Sequence, residues 1–164
     1  MKRLALVLLV LGGCVGCDQA TKRVAVATLE GQATKCLLGD TLRLGLARNE
    51  GAFLSMGANL PHGERFWLLT VSVGVLLVGL LAFTLKSKKL SLLQVAGLAM
   101  VLGGGASNWL DRARDGGAVV DFLNLGIGSL RTGIFNVADV AILAGVALMV
   151  WPQGSVRPAD QRAA

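Results

Sequence analysis

Three stretches of this chain carry almost no charge over the length of a membrane crossing, and they limit the possible folds more than any other feature. Phe66–Leu85 and Ser91–Leu110 are each 20 residues without a charged side chain. Ile134–Trp151 is 18 residues with Asp139 as its single charge. A spanning helix takes roughly 17–25 mostly apolar residues, so all three qualify. A fourth stretch, Leu4–Cys17, follows Lys2-Arg3 and is short. It reaches spanning length only by running on through Val24–Leu29, with Lys22 and Arg23 snorkelling to the interface.

Composition excludes the soluble alternative. Of 164 residues, 54% are hydrophobic and 16% charged. Mean hydropathy is +0.64. A soluble domain this small keeps too much surface wet to hide that much apolar area. The expected architecture is a membrane all-α fold with small β: four transmembrane helices plus a small outer, periplasmic β-sheet cradle. It forms a single integral membrane domain over residues 1–164, with spans at about 4–27, 66–85, 91–110 and 134–151 and outer segments at about 28–65 and 111–133.

The net charge of +6 has a topological reading. Lys86, Lys88 and Lys89 crowd the short link between the second and third spans, and Lys2-Arg3 and Arg157/Arg162 flank the two ends. With four spans, all three groups fall on one side, which makes both termini cytoplasmic. A raw count runs the other way, with nine Lys/Arg outside and seven inside. The outer charges, however, are interleaved with acids over longer segments. Tyr is absent and no basic stripe alternates with aromatics, so nucleic acid is not an expected partner. Membrane lipids are. Cys14 and Cys17 lie in an apolar run without His or acids at ligand spacing, and Cys36 stands alone, so neither a metal site nor a disulfide framework is expected.

The outer segments hold two strand signals. In Thr41–Leu46, Leu42, Leu44 and Leu46 alternate with polar or small residues, the period of a strand with one apolar face. Ala118–Leu125 is a second, closed by Gly126 and Gly128.

Asp139 is the most informative residue. A charged carboxylate inside a bilayer costs about 2.5–3.5 kcal/mol on insertion scales, so such groups usually face the bundle interior and serve a function. The plainer alternative is an interfacial Asp at a helix start, where the helix dipole favours an anion. Asp121 alone is an ordinary strand-end acid. Joined to Asp139 by a short loop at the same membrane surface, it makes a candidate pair. Two neighbouring carboxylates cannot both ionise cheaply, so one becomes an acid and the other a base. Such a pair activates a single water, the chemistry of an aspartic peptidase.

Three motifs in order, Gly103-Gly-Gly-Ala-Ser-Asn-Trp-Leu-Asp-Arg112, Val119-Val-Asp-Phe122 and Phe135-Asn-Val-Ala-Asp139, resemble those of the lipoprotein signal peptidases (signal peptidase II). Asp18-Gln-Ala-Thr-Lys22 and Asn49-Glu-Gly-Ala-Phe53 are similar to two further motifs of that family. The resemblance covers nearly the whole chain. It implies that Asp121 and Asp139 are the catalytic aspartates and that Asn49, Gly51, Asn108, Arg112 and Asn136 line the substrate groove. It also implies a monomeric inner-membrane endopeptidase, active at the periplasmic face without metal or cofactor. That enzyme would cut lipid-modified prolipoproteins before the diacylglyceryl-modified cysteine. Three features depart from the family pattern. Ser107 precedes Asn108 where Gly is usual, one Ala follows Gly51 where many members have two, and the stretch from Arg112 to Asp121 is one residue longer.

Plainer readings exist for several of these residues. Asp18 and Lys22 are spaced as an i,i+4 helical pair, Asp111-Arg112 reads as an interfacial ion pair, and Gly103–Gly105 reads as a close helix contact. His62 is a loop residue without an assigned role. Two rival functions fit less well. A secreted lipoprotein explains Leu11-Gly-Gly-Cys14 but not the later spans. A transporter explains Asp139 but not the ordered Asn/Asp motifs.

Overall fold

In the computed structural model, which describes residues 2–51 and 60–151, helices alternate with a small sheet at one end of the bundle. Helix α1 is Lys2–Leu29, strand β1 Lys35–Leu37 and strand β2 Leu42–Asn49. A short helix α2, His62–Arg65, passes through a π-helical turn, Phe66–Val71, into α3, Ser72–Lys86. Helix α4 is Leu92–Arg114, β3 Val119–Ile127, β4 Leu130–Arg131 and α5 Val137–Val150. The basic group Arg157/Arg162 and the motif residues Ala52 and Phe53 lie outside the described residues.

Helix ends follow local chemistry. Ser91 caps α4 through a reciprocal capping box with Gln94. Asn136 and Asp139 do the same for α5. The apolar run beginning at Ile134 therefore becomes helical only from Val137, because Asn136 satisfies the first orphan N–H groups of the helix. Helix α4 ends where Gly116 and Gly117 adopt φ of +63° and +95°. Such angles suit glycine and turn the chain sharply into β3.

The helices meet through small residues. A Cβ at Gly97 would lie 2.6 Å from the Gly145 carbonyl oxygen, and a Cβ at Gly103 would lie 2.7 Å from Cys14 Cβ. One at Gly104 would collide with the Ala138 carbonyl oxygen. Glycines here let α4 approach both α1 and α5 at backbone distance. Near the opposite end Val7, Val95 and Ala99 form a buried cluster with Leu6, Val10, Leu81 and Leu90.

The antiparallel sheet has the order β1-β2-β3-β4. β2 pairs with β3 from Leu42↔Leu125 to Asn49↔Val119, with an irregularity between Leu44 and Ala47. Leu44 and Leu46, two of the three alternating leucines visible in the sequence, pack with Leu123 and Val137 against buried Ala25, Leu29 and Phe122. The sheet thus sits on the end of α1, and its register sets Ala47 opposite Asp121, so that Asn49, two residues on, reaches the Asp121 carboxylate diagonally.

Apolar side chains cover the outside of the bundle. Leu9 is 76% exposed, Val75 69% and Val78 70%. Exposed apolar area on this scale marks a membrane-facing surface. Lys2–Leu29 and Gly63–Lys86 are long and apolar enough to cross a membrane. Helix α5, with 14 residues, is shorter. Helix α4 spends its C-terminal half on polar contacts, with Ser107, Asn108 and Asp111 buried.

Candidate functional site

Asp121 and Asp139 converge on one residue, Asn136. The Asn136 side-chain nitrogen donates to Asp121 Oδ1 at 2.7 Å, while its backbone N–H donates to Asp139 Oδ2 at 3.0 Å. The same nitrogen also contacts the Val120 carbonyl oxygen at 3.3 Å and Asn108 Oδ1 at 3.1 Å. All of those neighbours are acceptors, so this end of the Asn136 amide must be the donor. Its oxygen accepts from the Asp139 backbone N–H at 3.0 Å.

Each carboxylate has a second partner. Asn49, carried in by β2, donates to Asp121 Oδ2 at 3.0 Å. Asn108, on α4, donates to Asp139 Oδ1 at 3.0 Å. Asp121 is buried, 3% exposed, whereas Asp139 is half-buried. Burial, with a further contribution from the negative charge of Asp139, pushes the Asp121 carboxyl up to about 6, although the donors Asn49 and Asn136 and the charge of Lys22 pull the other way. The two acids are therefore electrostatically coupled. Asp139 occupies the third position of α5, so it is both the interfacial helix-start acid and a member of the pair.

Five residues implied to line a substrate groove gather around this pair. Asn49, Asn108 and Asn136 touch the carboxylates directly. Gly51 donates its N–H to Asn49 Oδ1 at 3.0 Å and offers its carbonyl to Arg112 Nη2 at 2.8 Å. Arg112 Nε is buried without a hydrogen-bond partner among the described residues. Asp111 and Arg112 do not form the ion pair that their adjacency implied. Asp111 turns inward to Lys22 at 2.7 Å, and Arg112 turns to Gly51.

A second polar layer, left open in the sequence, lies behind the pair. Lys22 does not snorkel: it is 4% exposed and bonded to Asp18 Oδ2 and Asp111 Oδ2, each at 2.7 Å. The i,i+4 spacing of Asp18 and Lys22 does produce an ion pair, but inside the bundle. Ser107, the departure from the family's glycine, donates to Asp18 Oδ2 at 2.7 Å. Gln19 donates to Ser107 Oγ at 3.0 Å and to Asp111 Oδ1 at 2.7 Å. A lysine and an acid one turn apart at the end of an apolar helix are the signal that sequence provides for such a layer. Among the described residues no three His, Cys, Asp or Glu side chains group as metal ligands would.

Known proteins with this arrangement agree on one family. Residues 7–153 match the model of signal peptidase (SPase) II. A lipoprotein signal peptidase of Rhodococcus jostii (strain RHA1) is 37% identical over 156 residues, covering 91% of this chain and 72% of the relative. One from Azoarcus sp. (strain BH72) is 37% identical over 146 residues, covering 88% of this chain and 81% of the relative. A bacterial membrane enzyme structure determined by the in meso method at 2.3 Å superposes with a TM-score of 0.73 and 26% identity over 88% of this chain and 84% of that one. A second, at 1.9 Å, gives 0.72 and 25% over 88% and 89%. With nearly the whole length matched, and two aspartates bridged by one asparagine at the end of an apolar bundle, the chain belongs to the signal peptidase II family, the aspartic-type membrane peptidases that remove signal peptides from lipoprotein precursors.

Proposed function

We propose that this chain cleaves prolipoproteins immediately before the diacylglyceryl-modified cysteine, with Asp121 and Asp139 activating one water. The observation that carries this reading is the bridging of both carboxylates by Asn136. Two N–H donors and the N-terminal end of α5 suit Asp139 to the ionised role. Burial suits Asp121 to hold a proton near neutral pH. Asp139 takes a proton from the water as its oxygen attacks the scissile carbonyl, and Asp121 gives its proton to the developing oxyanion. The resulting tetrahedral diol collapses as Asp139 gives its proton to the amide nitrogen and a diol hydroxyl returns one to Asp121, releasing signal peptide and a new cysteine amine. The pair returns to its singly protonated state.

Asn49, Gly51, Asn108, Arg112 and Asn136 bind the substrate strand. A peptide at membrane level needs protein partners for its amides because water is scarce, and the unpartnered Arg112 Nε is one available donor. Four spans place the site at the periplasmic face of the inner membrane and both termini in the cytoplasm. The long apolar helices α1 and Gly63–Lys86 and the Lys86, Lys88 and Lys89 link support that orientation. The buried polar face of α4 and the capped start of α5 let these two helices cross despite their polar residues and shorter length. The enzyme acts as a monomer.

The test is cleavage by purified protein in detergent. A prolipoprotein carrying the diacylglyceryl group should yield a mature chain beginning at cysteine. Equal cleavage of the unlipidated precursor, or none of either, contradicts the proposal.

A further inference from the structure

The Lys22 ammonium lies behind both carboxylates and uses all three of its protons: on Asp18 Oδ2 at 2.7 Å, Asp111 Oδ2 at 2.7 Å and Asn108 Oδ1 at 2.8 Å. An ammonium donates and cannot accept, so the atom of Asn108 that faces it must be the amide oxygen. The amide nitrogen is thereby directed to the other side, where it meets Asp139 Oδ1 at 3.0 Å. Turning the amide over would set its NH2 against the ammonium and against the Asn136 nitrogen, and its oxygen against the Asp139 carboxylate. All three contacts would be repulsive. The ammonium is itself seated from several elements. Asp18 also accepts the Ala138 N–H in the first turn of α5 at 2.8 Å, and Asp111 accepts the Val120 N–H of β3 at 3.3 Å.

A buried ion cluster of this kind does little for stability compared with apolar residues of the same volume. Its place in the molecule calls for another role. We propose that Lys22, held by Asp18 and Asp111, is a positioning residue for the aspartate pair: it locks the Asn108 amide so that its nitrogen serves Asp139, and its charge sets the pH range in which the pair shares one proton. The inference rests on Asp121 and Asp139 being the catalytic pair. The charged groups facing the pair are Asp18 and Lys22 from α1 and Asp111 and Arg112 from α4. Among the described residues Lys22 is thus one of two cations there. Removing it disfavours the ionised form of Asp121, on which its charge acts, so a bell-shaped pH profile moves to higher pH. A purely structural loss lowers the bell and leaves it in place.

The experiment measures kcat and KM against pH for full-length protein in detergent with a diacylglyceryl-modified prolipoprotein, alongside a thermal transition for the folded fraction. Lys22→Met should lower kcat by about 10- to 100-fold, the range typical when support behind reacting groups is lost. KM should change much less, and the bell should move to higher pH. Lys22→Arg, which keeps the charge, should hold the bell near its wild-type position. If Lys22→Met does not fold, the double variant Lys22→Met with Asp18→Asn carries the test: it removes one cation and one anion together and should also lose at least about 10-fold in kcat. Wild-type kcat in either folded variant, or a lowered but unmoved bell in folded Lys22→Met, overturns the inference. Failure of both to fold assigns the cluster to bundle stability and also overturns it. Asp121→Asn and Asp139→Asn in the same assay separate the two readings, since activity in either would sink the catalytic pair itself.

Discussion

Asn136 stands 2.7 Å from Asp121 through its side-chain nitrogen and, through its backbone N–H, also holds Asp139. One residue therefore fixes the relative position of two acids on different elements, a strand and a helix start. The cap that begins α5 and the geometry of the site are the same set of bonds. Fraying of α5 at its first turn would separate the carboxylates.

The raised titration of Asp121 has a consequence for stability. An acid whose folded value, about 6, lies above its unfolded value of about 3.9 opposes folding once it ionises. The cost is absent below about pH 4 and develops as pH rises through 6. Asp121→Asn removes it, so the variant's gain in thermal transition temperature over wild type should be larger at pH 8 than at pH 4. Melting curves in detergent at the two values check this. An equal difference at both would contradict the burial argument.

Arg112 should act on binding more than on the chemical step. Its guanidinium reaches the Gly51 carbonyl through Nη2, and its Nε has no hydrogen-bond partner among the described residues. Lysine keeps the charge and loses the fork. Arg112→Lys should raise KM several-fold with a smaller change in kcat. A wild-type KM for Arg112→Lys would remove Arg112 from the groove.

Gly104 places α4 against α5 one turn before Asn108. A methyl there meets the Ala138 carbonyl oxygen and, at 2.8 Å, Ile142 Cγ1. Backbone cannot yield as a flexible side chain can, so Gly104→Ala should destabilise by about 1–3 kcal/mol and lower turnover by displacing the first turn of α5. Thermal melting and kcat together check this, and an unaltered enzyme would show that the helices separate freely.

The native cysteines report the topology. Cys36 is exposed on β1, whereas Cys14, half-buried, and Cys17, exposed, lie along the apolar helix α1. A membrane-impermeant thiol reagent added outside intact spheroplasts should label Cys36 and leave the other two, which the bilayer shields on a spanning helix. Labelling of Cys14 or Cys17 without Cys36 would invert or break the four-span arrangement.

Much of this was legible in the sequence because it rests on local pattern. Charge-free runs announce the helices, the Leu44/Leu46 alternation announces β2, and Asp121 and Asp139 are conspicuous as acids beside apolar segments. The sequence starts the last apolar run at Ile134, and the structure starts α5 at Val137 because Asn136 caps it. What sequence spacing could not give is the burial of Lys22. Its partners Asn108 and Asp111 stand on another helix far along the chain, and a lone lysine near a helix end is better explained by snorkelling until those partners are known. β1 was missed because three exposed residues carry no periodic signal. The inward turn of Asp111 depends on the Gly116-Gly117 corner, which sets where β3 begins.

The central claim is that Asp121 and Asp139 act as one unit on one water, and a double-mutant comparison of turnover tests it most directly. Asparagine matches aspartate in size but neither takes nor gives the proton. Asp121→Asn and Asp139→Asn should each abolish cleavage of a lipidated prolipoprotein while membrane insertion and thermal stability persist. The double variant should be hardly worse than either single, because residues acting as a unit lose their effect together. Retention by either single variant of more than about a tenth of wild-type turnover, a barrier change of only ~1.4 kcal/mol, would contradict the claim and remove that residue from the mechanism.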